Sequence, residues 1–389
     1  MATVACIFAA RALIARGLGP AGIGLYALML TAAWLAGTVL SLGLPAYNAS
    51  FASSVPAGVL LANSLAWNVA AAAILSVLCI PALAATGVPL TWKVMIVGVL
   101  MSPLMSLLEC TRGIFQGLSA MSPYNWLGLS SGALNLGGVG LLIATSRLTL
   151  RSAIACWVAA TFITGVAAVR LGSRHADGLQ RVDARLLASS LKFGGQAWLS
   201  QLTGIVNFRV ALLLTEWLLG TVAVGLYAIA VTIAEILFYF PNALAIVSSA
   251  RYAAATRADA RALLNRSTRW VLTVSAATAL AMAIAARPVI RLAFGPSYLE
   301  SGTVLLIILP GVVAYTPIAV VTWYFNAHRQ KPIVNMVIAG FSALLNASLT
   351  LMWAPKHGLA GVAWATTTAY IAASLFSIVM VRRESSPRS

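Results

Sequence analysis

The sequence predicts an all-α polytopic membrane protein of about twelve transmembrane helices, built as two parallel six-helix repeats. Three observations carry this. Of 389 residues, 61% are hydrophobic and only 8% are charged. A water-soluble domain carries roughly 25% charged residues, so this chain cannot cover an aqueous surface and lipid must be its solvent. The apolar residues fall into runs of about 20, the length that crosses a bilayer as a helix. Finally, one ten-residue phrase occurs twice: LGPAGIGLYA at 18–27 and LGTVAVGLYA at 219–228.

Taken in order, the expected spans are 1–15, 24–45, 57–82, 90–111, 123–145, 150–171, 191–217, 222–248, 268–290, 301–326, 332–353 and 358–381. The first is short, with ten residues before Arg11 and neither a basic leader nor a small-residue cleavage site, so a signal peptide is not expected. The segments are apolar all round rather than alternating, so membrane strands are not expected either. Mean hydropathy is +0.93.

The twin phrases share Leu18/Leu219, Gly19/Gly220, Gly24/Gly225, Leu25/Leu226, Tyr26/Tyr227 and Ala27/Ala228, 201 positions apart. Each opens a span, the second and the eighth. A further echo links FQGLSAMSPYN, followed by Asn135, to FNAHRQKPIVN, followed by Asn346. Six spans are thus repeated as six. An even number returns the chain to its starting side, which makes the repeats parallel. The domains expected are an N-lobe at 1–171, a basic linker at 172–190, a C-lobe at 191–381 and a tail at 382–389. Within the phrase, Gly19 and Gly24 supply freedom at positive φ, Pro20 restricts the turn, and Tyr26 can sit at the interfacial belt.

The net charge of +17 would suit nucleic acid, but its distribution argues otherwise. With the N-terminus inside, the inner loops hold 16 of the 25 Lys and Arg, the outer loops 7, and Arg11 and Arg209 lie within spans. This is the positive-inside pattern; it sets both termini in the cytoplasm and offers contact to anionic lipid. Cys6, Cys79, Cys110 and Cys156 have no paired spacing, and His175, His328 and His357 are scattered. No metal site, cofactor or catalytic motif is indicated, and no nucleic-acid partner is expected.

Several stretches resemble one family. RGLGPAGIGLYALML is similar to the first-loop signature of the polysaccharide flippases of the multidrug/oligosaccharidyl-lipid/polysaccharide (MOP) exporter superfamily. LLGTVAVGLYAIAVTIAEILFYFPNAL resembles their eighth-helix region, LAFGPSYLESGTVLLIILPG their run from helix nine to ten, and NASLTLMWAPKHGLAGVAWATTTAY their last two helices. The resemblance implies a two-lobe fold like that of the MATE transporters. It implies no enzymatic activity, but a flippase in the bacterial inner membrane. Such a protein moves undecaprenyl-diphosphate-linked oligosaccharide outward by alternating access, for O-antigen, capsule or exopolysaccharide, with glycosyltransferases and a polymerase as partners.

The polar residues give candidate sites. Thr31, Trp34, Thr38 and Ser41 share about 80° of a helical wheel, and at offset 201 so do Thr232, Glu235, Tyr239 and Asn242. Gln196, Ser200, Thr203 and Asn207 form another stripe, with Lys192 at its end. Such stripes serve either interhelical hydrogen bonds or a cavity, and their symmetry favours a cavity between lobes. Intramembrane ionisable groups are costly and functional by default. The substrate-binding candidates are therefore Arg11, Trp34, Asn207, Arg209, Glu235, Tyr239 and Asn242, with Glu235 also the coupling-ion candidate. Alternatives stay open: Arg11 can snorkel outward, and Arg209 can face a neighbouring helix or pair structurally with Glu216, two turns along the same face.

Two rival functions follow from the same residues. A cation-coupled multidrug exporter of the same superfamily needs cation-binding carboxylates, and only Glu235 lies deep. A membrane polymerase or ligase needs a large outer loop bearing catalytic groups, and the outer loops are short.

The topology is directly testable. In a cysteine-free background, cysteines at 181 and 266 are expected to react with impermeant reagents from the cytoplasmic face alone, and one at 297 from the outside alone. Labelling of position 297 from the cytoplasm contradicts the six-plus-six arrangement.

Overall fold

A computed structural model describes residues 2–385 apart from 177, 330 and 332. Arg388 of the expected tail lies outside the described residues, as do the side chains of Gln196, Arg257 and His328. The described residues are predominantly helical, with short turns between helices and no strand among them. The chain falls into two compact units, Met1–Leu202 and Thr203–Ser389.

Among the described residues, ten helices are long and apolar enough to cross a membrane. Two of them are pairs of spans fused across a kink: α1 (Ala2–Ser41) breaks at Gly19, and the last, α13 (Ile333–Ser385), breaks at Gly358. The described residues therefore hold the twelve expected spans.

Outer loops were expected at both kinks. The structure instead joins spans 1 and 2, and spans 11 and 12, through one glycine each. Gly19 has φ 69°, ψ −178° and Gly358 has φ 58°, ψ −140°. Backbone at positive φ with extended ψ is essentially confined to glycine, and Pro20 follows at a helix start, where its missing N–H costs nothing. Gly220 repeats the geometry of Gly19, with φ 81° and ψ 176°. Gly24, expected to share this freedom, lies inside the helix without a positive φ.

In the first unit, α2 (Leu44–Phe51), α3 (Ala57–Ala84), α5 (Met121–Ala144) and α6 (Leu150–His175) surround α4 (Leu90–Gly117), which packs on all of them and on α1. In the second unit, α8 (Thr221–Ala234), α9 (Tyr239–Ala254) and α12 (Ile318–Trp323) accompany α10 (Arg257–Ala293) and α11 (Leu299–Tyr315). There α11 is the hub, packing on α8, α10 and α13. The hubs are spans 4 and 10, six apart. Each carries an interior proline, Pro103 and Pro310. The duplication seen in two short phrases thus extends to the packing order.

Close approach at the hubs depends on missing side chains, the usual membrane solution where no hydrophobic force drives helices together. A Cβ on Gly98 would strike the Met29 carbonyl oxygen, and one on Gly311 would lie 2.5 Å from Thr367 Cα.

Between α6 and α7 (Ala184–Leu219), the described residues 176 and 178–183 are not helical. Asp183 caps α7, its Oδ1 accepting from Arg185 N and Leu186 N, both at 2.9 Å. Asn63 of α3 pins the same residue, accepting from Asp183 N at 2.9 Å and donating to Asp183 O at 3.1 Å. Further along α7, Trp198 Nε1 donates to Thr38 O at 2.9 Å. The basic connection is therefore anchored to the first unit.

Gly311→Ala is expected to destabilise the detergent-solubilised protein by about 1–3 kcal/mol, the usual range for overpacking. Gly137→Ala meets nothing within 4 Å and is expected to be neutral or to gain roughly 0.5–1 kcal/mol from the better helix former. Thermal unfolding of the two variants side by side checks the contrast, and equal melting removes the close-approach account.

Candidate functional site

The second unit brings together the residues that matter most. Arg209, on α7, reaches Glu235, where Arg209 Nη1 lies 3.0 Å from Glu235 Oε1. The two side chains are 19% and 27% exposed, so both charges are largely withdrawn from solvent. Glu235 opens a 3-10 segment, Glu235–Phe238, between α8 and α9. The eighth span thus changes its winding at the carboxylate, and short 3-10 runs inside helices often mark functional positions.

The sequence leaves Glu216 and a neighbouring helix both open as structural partners of Arg209. Glu216 instead accepts from Thr221 Oγ1 at 2.9 Å, across the turn that starts α8. The geometry selects Glu235 because it arrives from another helix at the level of Arg209. A wheel drawn on one helix cannot show that.

A small cavity beside the ion pair is bordered by Asn207, Phe208, Tyr227, Glu235, Phe238, Asn346, Thr366 and Tyr370. Its open space is about 10 Å³, close to the room one water occupies. The wall is hydrogen-bonded across helices. Asn207 Nδ2 donates to Tyr315 Oη at 3.0 Å. Tyr227 Oη and Thr366 Oγ1 are 2.9 Å apart, and Thr366 Oγ1 also lies 3.4 Å from Asn346 Oδ1. Among the described residues, Asn207 Oδ1 and Asn346 Nδ2 have no hydrogen-bond partner, although each residue is only 1% exposed. Aromatic rings close the remainder: Tyr315 and Tyr370 are 4.5 Å apart between centroids, and Phe208 meets Phe238 at 5.4 Å.

The first unit carries a simpler version of this wall. Asn135 Nδ2 donates to Tyr26 Oη at 3.4 Å, and Arg11 lies within electrostatic reach of the same hydroxyl. Tyr26 and Tyr227 are each only 2% exposed. Tyr26 is therefore enclosed by its own unit, whatever its level in the bilayer. These tyrosines turn inward because the Asn or Thr of another span satisfies the hydroxyl.

The other candidates separate. Trp34 and Tyr239 are 50% and 45% exposed, and Asn242 is exposed. Thr31, Thr38 and Ser41, from the stripe that includes Trp34, are buried in the first unit, with Thr38 and Ser41 donating to backbone carbonyls of their own helix. Tyr227, Asn346, Thr366, Tyr315 and Tyr370 were not among the candidates. Tyr227 and Asn346 stood in the two sequence echoes, the signal that could have placed them together.

A family pattern described as polysaccharide biosynthesis protein matches residues 5–249. No curated protein matches the chain. Among solved structures, an inward-facing multidrug resistance MATE family transporter of the MOP superfamily is 13% identical, at TM-score 0.77, over 99% of this chain and 94% of that one. The lipid II flippase MurJ, in an inward closed conformation, is 14% identical at TM-score 0.77, over 98% and 86%. A MOP superfamily transporter from Pyrococcus furiosus, titled for the reversed polarity of its binding pocket, is 12% identical at TM-score 0.60, over 98% and 95%. At these identities the likeness is one of fold. The match over residues 5–249 covers more than half of the sequence, and the chain belongs to the polysaccharide biosynthesis protein family.

Proposed function

We propose that this protein is a flippase. On this reading it moves undecaprenyl-diphosphate-linked oligosaccharide repeat units across the bacterial inner membrane by alternating access, with both termini in the cytoplasm. The units feed O-antigen, capsule or exopolysaccharide synthesis, beside glycosyltransferases and a polymerase. The observation that carries it is the Arg209–Glu235 pair, held at 3.0 Å within membrane spans of a chain from this family.

An unpaired diphosphate in the low-dielectric core is very costly. A guanidinium can meet it with two parallel hydrogen bonds. In the resting protein Glu235 occupies that guanidinium. Protonating Glu235, or setting a cation beside it, releases Arg209 to an anionic substrate. The same exchange makes Glu235 the coupling-ion candidate and Arg209 the diphosphate candidate. Arg11 serves as the corresponding cation of the first unit. Asn207 orients the aromatic wall through Tyr315. Trp34, Tyr239 and Asn242, all exposed, offer aromatic and amide surfaces to sugars.

The test is leaflet-resolved transport of a short-chain prenyl-diphosphate sugar in proteoliposomes. Arg209→Gln leaves Glu235 unpaired and is expected to lose transport together with about 1–3 kcal/mol of stability, less than for a fully buried pair. The double variant Arg209→Gln/Glu235→Gln has no unpaired charge; it is expected to regain most of that stability and still not transport. Transport at the wild-type rate by the folded double variant contradicts the proposal. Cation-driven efflux of an organic cation, with no movement of the diphosphate lipid, favours the multidrug exporter instead.

A further inference from the structure

A second feature lies in the first unit, away from the ion pair. At one end of α5 and α6 is an open groove of about 840 Å³, within the roughly 300–1,000 Å³ usual for ligand sites. Trp126 of α5 and Phe162, Ile163 and Val166 of α6 line it, and all four are exposed large apolar side chains. Its mouth is basic. Arg170, Arg174 and His175 line the same groove, and all three are exposed.

The helix spacing builds this arrangement. Phe162, Val166, Arg170 and Arg174 recur every four residues, so one stripe of α6 passes from apolar to cationic along its length. His175 Nδ1 donates to Leu171 O at 2.9 Å and its ring packs edge-on to Phe115 at 5.3 Å, which fixes the imidazole at the rim. Among the described residues, the groove lining contains no carboxylate. Glu109, on the neighbouring α4, is engaged 2.7 Å from Arg112, and Asp177 lies outside the described residues. A groove with an apolar wall that ends in two guanidinium groups complements a molecule with an acyl chain and an anionic head. Basic pockets between membrane helices commonly hold such headgroups.

We propose that the α5–α6 groove is a binding site for an anionic glycerophospholipid of the leaflet that the C-terminal end of α6 faces. Its acyl chain lies along Phe162, Ile163, Val166 and Trp126. Its phosphodiester lies between Arg170 and Arg174. The site does not depend on the transport reading, since neither arginine belongs to the proposed transport site.

The experiment is native mass spectrometry of the purified full-length chain, titrated with phosphatidylglycerol and phosphatidylcholine of matched acyl chains. The wild type is expected to hold phosphatidylglycerol about tenfold more tightly. Arg170→Gln/Arg174→Gln is expected to lose that preference, and Arg174→Gln alone to lose part of it. Arg147→Gln/Arg151→Gln, in the turn before α6 and in its first turn, at the end away from the groove arginines, is expected to keep it. Both groove arginines are exposed, so the variants are expected to fold, and their melting is measured alongside. Equal affinity of the wild type for the two lipids, or a preference untouched by the Arg170 and Arg174 changes, overturns the proposal. Displacement of phosphatidylglycerol by an equal concentration of deacylated glycerophosphoglycerol also overturns it, because the site then reads phosphate alone. So does equimolar displacement by farnesyl diphosphate, which would give the groove to a prenyl chain.

Discussion

Hydrocarbon supplies no hydrogen-bond partner, and this governs the structure. Each polar group carried into the bilayer must be met by the chain itself. Helices meet the backbone's demand. The side chains' demand is met between helices, and the sequence duplication records how. In the first unit, Asn135 from the fifth span donates to Tyr26 from the second. In the second unit, Tyr227 reaches Thr366, which also contacts Asn346 from the eleventh span. The two echoes in the sequence are the two sides of one polar link, direct in the first unit and carried through Thr366 in the second. A ten-residue phrase is kept because its glycine makes a kink that other residues resist, and because its tyrosine needs a partner from a distant span.

The same constraint explains the ion pair. Arg209 and Glu235 would each be costly alone in a membrane span, and together they are tolerable. A paired charge in lipid is therefore a switchable one. Whatever neutralises the carboxylate leaves a guanidinium that must find another anion. On the proposed reading the diphosphate of a lipid-linked sugar is that anion. This gives a physical reason for arginine at position 209, where lysine would supply a charge without the planar fork.

The fold was legible because lipid leaves a plain signature: apolar runs of one helix length, parted by turns. All twelve spans were visible, since each must bury its backbone polarity separately. The two loops expected at Gly19 and Gly358 were not loops, because a single glycine at positive φ can reverse a chain that composition reads as needing several residues. The site was less legible. Arg209, Glu235 and Asn207 stood out as polar residues deep in spans. The pairing of Arg209 with Glu235 rather than Glu216 depends on how α7 lies against the eighth span, which periodicity on one helix does not encode. Tyr315 and Tyr370 were invisible for a related reason. A tyrosine in an apolar run reads as bulk until the helix facing it is known.

Whether Arg209 exchanges Glu235 for a diphosphate is measured more directly by binding than by transport. Affinity for a short-chain prenyl diphosphate can be determined for the wild type, Arg209→Gln, Glu235→Gln and the double variant in one detergent. Partner exchange predicts tighter binding when Glu235 is neutralised, because a competing anion is gone. It predicts weaker binding when Arg209 is neutralised, and no benefit from Glu235→Gln once Arg209 has been replaced. Affinities that do not change across the four proteins would contradict it, and the ion pair would then be a structural contact between helices.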